Sequence, residues 1–262
     1  MAVIKMNFLS QCLGMQTNVT ICLPSFSFAD LMAGREDVYV PGMKYQVLWL
    51  LHGGSGDDSD YVNFSNITRY ADDNKIAVVM PADYNASYED TERVKYQTFV
   101  AEELPKMCRA IFPFSDKRED NFIAGLSMGG GGTGKIALKY PENYAGALIM
   151  SAGGSLNPFK PREGMPAPKY DGPAPHEILQ QTAKDNVAQG KKLPKFYITC
   201  GDKDFALEGA QFARDFLKET GYDVFYEEVP GYGHEWDFWD LTLRKALKEW
   251  FPIRHSVIYP EK

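Results

Sequence analysis

Short apolar runs alternate with stretches of helical periodicity along most of the chain. The N-terminal part reads as two strands, Met6–Leu13 and Val19–Leu23, parted by a turn region at Gly14–Asn18 and stopped at Pro24. Gln46–Leu51 (QVLWLL) is a continuous apolar run, the pattern of a strand buried on both faces, and it ends abruptly in His52-Gly53-Gly54-Ser55-Gly56. Beyond it, helix and strand patterns take turns. A helix pattern at Tyr61–Asn74 precedes a strand at Ile76–Met80, and a helix at Thr98–Ile111 repeats apolar residues at helical spacing. A strand at Asn121–Ala124 leads through a Gly-rich turn into a helix from Met128 to Tyr140, stopped by Pro141. Strands at Ala145–Ser151, Lys195–Cys200 and Asp223–Glu228 and helices at Leu207–Thr220 and Trp236–Trp250 complete the series. Such alternation predicts βαβ units and a mostly parallel central sheet flanked by helices, with the opening hairpin at one edge. One stretch breaks the rhythm: the 153–194 segment holds seven of the 16 prolines and one helix pattern, Pro175–Gln189, so it is expected to be a cap over a site.

Composition sets outer limits. The 262 residues carry 28 Lys+Arg against 35 Asp+Glu, a formal charge of −7, which disfavours nucleic acid as a partner. No apolar run approaches the ~18 residues that span a bilayer, and the opening MAVIKMNFLSQC lacks the pattern of a secretory signal. The four cysteines form no CxxC, and free thiols in a cytoplasmic protein are expected, a Cys12–Cys22 pair across the hairpin being the lesser alternative. An aromatic content of 13% leaves material for a homo-oligomeric interface.

The chemistry is concentrated in four segments. Gly125-Leu126-Ser127-Met128-Gly129 is a G-x-S-x-G between a strand and a helix, a sharp turn that lifts a serine hydroxyl toward a helix N-terminus, where free amides favour an oxyanion. The overlapping Gly129–Ile136 run nearly spells a phosphate-binding loop. Ile136 cannot supply the magnesium-ligating hydroxyl, so the nucleotide-binding alternative is weak. A nucleophilic Ser127 requires a base and an acid. Of the four histidines, His234 lies in a loop between the last strand and last helix, on the same sheet edge as Ser127. His52 belongs to the glycine turn, His176 is expected on the surface of the insert, and His255 lies in the tail. The acid should follow the strand FYITC, where Asp202 and Asp204 both qualify; the apolar neighbour of Asp204 inclines the choice toward it. Oxyanion donors are expected at the Met128 amide and in the His52-Gly53-Gly54 turn, with Gly54 preferred and Gly53 the alternative.

These pieces together resemble the α/β-hydrolase esterases that include esterase D, S-formylglutathione hydrolase, tributyrin esterases and feruloyl or acetyl-xylan esterases. The resemblance rests on LHGGSGDDSDY (51–61), GLSMGGGGT (125–133), CGDKDF (200–205) and GYGHEWDFWD (231–240). It implies a single α/β-hydrolase domain over 1–262, Ser127 as nucleophile, Asp204 as acid, His234 as base, and Gly54 and Met128 as oxyanion donors. The implied activity is a serine carboxylesterase acting on short-chain acyl or small aromatic esters, with no metal or cofactor. The chain is most similar to the tributyrin type: HGGSG and GLSMGG stand where S-formylglutathione hydrolases have an S-G-L-type turn and a GHSMGG-type elbow. Feruloyl or acetyl-xylan esters, S-formylglutathione, and acyl transfer in place of hydrolysis are the alternatives. Trp236, with Tyr170, Phe159 and Met165 of the insert, is a candidate to wall an acyl or aromatic pocket, ordinary packing being the competing reading.

Overall fold

The computed structural model describes residues 1–36, 38–158, 166 and 168–260. The strands are β1 (Ala2–Leu9), β2 (Gln16–Leu23), β3 (Gln46–Leu51), β4 (Ile76–Pro81), β5 (Asn121–Leu126), β6 (Gly146–Met150), β7 (Lys195–Gly201) and β8 (Val224–Val229). Among the described residues they form one eight-stranded sheet in the order β1-β2-β4-β3-β5-β6-β7-β8. β1 and β2 pair antiparallel, as do β2 and β4, and every other pair is parallel. The hairpin therefore sits at the edge, as the pattern predicts. Its register differs: β1 alternates half-buried and exposed residues from Ala2, and the turn falls at 10–15. The Glu103 carboxylate sets that turn by accepting from the Ser10 hydroxyl (2.7 Å) and from the amides of Gln11 and Cys12.

The helices are α1 (Phe28–Met32), α2 (Asp60–Phe64), α3 (Ile67–Asp73), α4 (Tyr96–Thr98), α5 (Leu104–Ile111), α6 (Met128–Lys139), α7 (Pro175–Ala188), α8 (Leu207–Thr220) and α9 (Trp236–Lys245). A π-helical turn, Phe99–Glu103, joins α4 to α5, and a second, Ala246–Trp250, extends α9. The segment expected as one helix over 61–74 is two short ones, broken at Ser65. β3, β4, β5 and β6 are buried at every position, because helices cover both faces of the sheet. Two buried clusters result, one on each face: Trp49, Phe99 and Ile149 belong to the first, Leu48, Phe122 and Phe238 to the second.

The Pro-rich 153–194 segment carries α7, which packs on α6 and α8 and contributes Leu179 and Ala183 to the core. That half is thus the crossover helix between β6 and β7. Residues 159–165 and 167, on which the cap expectation also rests, lie outside the described residues. The four cysteines are free, with no Cys12–Cys22 pair. Among the described residues no helix is long and apolar enough to cross a membrane.

Candidate active site

β5 delivers Ser127 at the carboxyl edge of the sheet with φ 51° and ψ −117°, a conformation that L residues rarely adopt. Two glycines make the turn sterically feasible. A Cβ on Gly125 would lie 2.3 Å from the Gly129 carbonyl oxygen, and one on Gly129 would lie 2.2 Å from the Leu51 carbonyl oxygen. The strand, turn and helix are therefore in backbone contact, and the α6 N-terminus starts at Met128, directly beside the serine. The rest of the glycine run lies inside this helix rather than in a loop ahead of it. Lys135, which a phosphate-binding loop would aim at a phosphate, pairs with Glu89 and donates to the Ser87 carbonyl.

His234 reaches Ser127 from the loop between β8 and α9. Its Nε2 lies 3.0 Å from Ser127 Oγ, and its Nδ1 lies 3.0 Å from each Asp204 carboxylate oxygen. A carboxylate can only accept here, so Nδ1 carries the proton and Nε2 is left to accept from the serine. Asp204 is buried. Burial works to raise its pKa, but hydrogen bonds from His234, Ser151 and the Ala206 amide outweigh that and hold it below the usual carboxylate range. Asp202, the other candidate, accepts from the Gly231 amide (2.7 Å) and braces the loop that carries His234.

Two residues that the sequence reading missed, Trp239 and Ser151, and one that it noted only as the apolar neighbour of Asp204, Phe205, complete the surroundings. The Trp239 indole N–H donates to Ser151 Oγ (2.9 Å), which leaves the Ser151 hydroxyl free to serve Asp204, and the Trp239 ring meets the His234 ring edge-on at 5.0 Å. Phe205 lies against the His234 ring at 4.3 Å and is 80% exposed, an apolar wall at the mouth of the site. The signals were there: Trp239 is one helical turn beyond Trp236 in HEWDFWD, and Ser151 follows β6 at the carboxyl edge. Trp236 itself packs against Tyr61, Phe64 and Trp239.

A cleft of roughly 830 Å³ runs from Ser127 and Met128 along one face of α6, between α7 and the 87–97 segment. Tyr170 lines it, as does His176, which is half-buried and not on the open surface as the sequence suggests. Phe159 and Met165 lie outside the described residues. The far end is polar: Lys135 faces Glu89, and Lys139 lies 3.9 Å from Asp90 and 2.7 Å from the Gln97 side-chain oxygen. His255 is remote, bound to Asn74.

The sheet order and the serine turn define an α/β-hydrolase, and comparison with known proteins narrows the class. Residues 10–250 match the family described as "Putative esterase". The chain is 31% identical to the acetyl esterase of Caldicellulosiruptor saccharolyticus, over 95% of this chain and 98% of that protein. Fluorophosphonate-binding serine hydrolase F of Staphylococcus aureus superposes with a TM-score of 0.78 at 29% identity, covering 94% of this chain and 96% of that one. S-formylglutathione hydrolase of the same organism superposes with a TM-score of 0.73 at 29% identity, covering 94% and 97%. The chain belongs to this esterase family and is a carboxylic ester hydrolase.

Proposed function

We propose that the chain hydrolyses short-chain acyl esters, acetyl esters foremost, through an acyl-enzyme on Ser127. The observation that carries this reading is the relay from Ser127 Oγ to His234 to the buried Asp204 at hydrogen-bond distance throughout. Ser127 Oγ attacks the ester carbonyl while its proton passes to His234 Nε2, and the carbonyl electron pair moves onto oxygen. The Met128 and Gly54 amides receive that oxyanion. The intermediate collapses, the alcohol leaves with the proton from His234, and water repeats the sequence on the acyl-enzyme. Gly54 is favoured over Gly53 by backbone direction. The His52 carbonyl is turned toward α6, where a Cβ on Gly129 would lie 2.6 Å from it, so the Gly53 N–H of that trans peptide is turned away from that helix.

The acyl preference is supported by the acetyl esterase relative, at 31% identity over nearly its whole length. A neutral alcohol portion is favoured by the cleft: both of its lysines already face carboxylates, leaving them poorly disposed to bind the carboxylates of a glutathione thioester. Four free thiols support a cytoplasmic location. An ester panel from acetate to octanoate, with methyl ferulate, acetylated xylo-oligosaccharides and S-formylglutathione, tests the proposal. The expected result is fastest turnover on acetyl or butyryl esters, with Ser127→Ala slower by about 10⁶ in kcat. Added alcohol acceptors distinguish transfer from hydrolysis.

A further inference from the structure

His52 belongs to none of the steps above, yet it is buried and makes two directed hydrogen bonds. The Asp83 amide donates to its Nε2 at 2.8 Å, and its Nδ1 lies 2.7 Å from the Gly53 carbonyl oxygen. A backbone N–H can only donate, so Nε2 is unprotonated; the ring proton is therefore on Nδ1 and is given to Gly53. Only the neutral ring satisfies both partners, because an imidazolium would oppose two donors at Nε2. Burial, which pushes the imidazole below its usual range, acts in the same direction.

The consequence lies in the next peptide. In a trans peptide the carbonyl and the following N–H point in opposite directions, so holding the Gly53 carbonyl fixes where the Gly54 N–H points. The Gly56 amide donates to the same carbonyl at 3.3 Å, and the Ser55 amide is held at 2.6 Å by the Asn85 side-chain oxygen. The Ser55 and Gly56 amides are thereby occupied, while the Gly54 amide, like that of Gly53, has no protein acceptor among the described residues. Glycines leave this turn free to rotate, and a flipped peptide would present a carbonyl where a donor is needed.

We propose that His52 is a positioning residue of the oxyanion hole, a neutral Nδ1–H imidazole that locks the Gly53–Gly54 peptide with the Gly54 amide turned toward the reacting carbonyl. This rests on the esterase reading above. The test uses two substitutions that divide the ring's roles. His52→Asn keeps a donor near the Nδ1 position, and His52→Gln keeps an acceptor near Nε2 for the Asp83 amide but loses the short bond to Gly53. With p-nitrophenyl acetate, His52→Gln is expected to lower kcat by about 10²–10³ with KM within about threefold, as loss of one oxyanion donor does. His52→Asn should retain activity within about tenfold of wild type. Affinity for a trifluoromethyl ketone, whose hemiketal oxygen occupies the hole, should fall in His52→Gln in step with kcat/KM, while thermal midpoints stay close to wild type.

The inference is overturned if His52→Gln works within threefold of wild type, or if His52→Asn is no better than His52→Gln. It is equally overturned if the ketone binds both variants as it binds wild type, or if the rate losses follow lowered thermal midpoints. Ser127→Ala in the same assay separates the two readings. Turnover retained by that variant removes the esterase mechanism, whereas a dead Ser127→Ala beside a fully active His52→Gln removes only the role of His52.

Discussion

Replacing Asp204 with asparagine changes one atom type at the most buried point of the relay. Asp204 accepts from His234 Nδ1, from Ser151 and, at 2.8 Å, from the Ala206 amide. The asparagine oxygen can retain the Ala206 amide, which turns its NH₂ toward His234. Two donors would then face each other unless the imidazole moves its proton to Nε2, and that tautomer cannot accept from Ser127. The loss is therefore one of protonation state, with the geometry left intact. A triad that loses its carboxylate charge in this way drops about 10⁴ in kcat, or about 5.5 kcal/mol of barrier at roughly 1.36 kcal/mol per tenfold. The assay is steady-state hydrolysis of p-nitrophenyl acetate at pH 8, with thermal unfolding alongside. Expected are a fall of at least about 10³ in kcat, KM within a few-fold, and a folded protein. Asp202→Asn is the control. Its carboxylate meets the Gly231 amide and not the imidazole, so its loss should stay within about tenfold. Asp204→Asn within tenfold of wild type, or Asp202→Asn the more damaging of the two, would refute the assignment.

Three further outcomes follow from the same geometry. Trp239→Phe removes the indole N–H that fixes Ser151 and should cost about 0.5–1.5 kcal/mol, roughly two- to thirteenfold in kcat, with KM unchanged; a KM effect alone would contradict it. Asp83 is buried with one carboxylate oxygen unpartnered, and burial pushes its pKa up to about 7. Its folded-state pKa lies above the unfolded one, so the stability linked to its proton is complete below about pH 4 and lost as pH rises through 7. Urea unfolding should register that decline, with a slope of at most about 1.4 kcal/mol per pH unit, and Asp83→Asn should abolish it. Gly129→Ala puts a methyl group against the Leu51 carbonyl, and expression trials should yield little folded protein.

The elements that the sequence disclosed best are those whose burial is local in origin. QVLWLL reads as a two-sided strand because helices cover both faces, and Ser127 was recognisable because strand, glycines and helix are contiguous. The edge hairpin was misplaced by several residues because Glu103, more than ninety positions away, fixes its turn. α1 went unnoticed although Ser27 and Asp30 form a capping box, since five residues leave little periodicity. Ser151 reaches the Asp204 neighbourhood only because β6 pairs in parallel with β7, and His176 enters the cleft only because α7 packs on α6. Such meetings depend on tertiary pairing and leave no mark in local spacing.

The central claim is that Ser127 carries the acyl group. Intact-protein mass spectrometry after exposure to a fluorophosphonate, followed by peptide mapping, tests it most directly. The account predicts a single adduct per chain on Ser127 of the GLSMGG peptide and none on Ser127→Ala. An adduct mapped to any other residue, or equal labelling of Ser127→Ala, would contradict it.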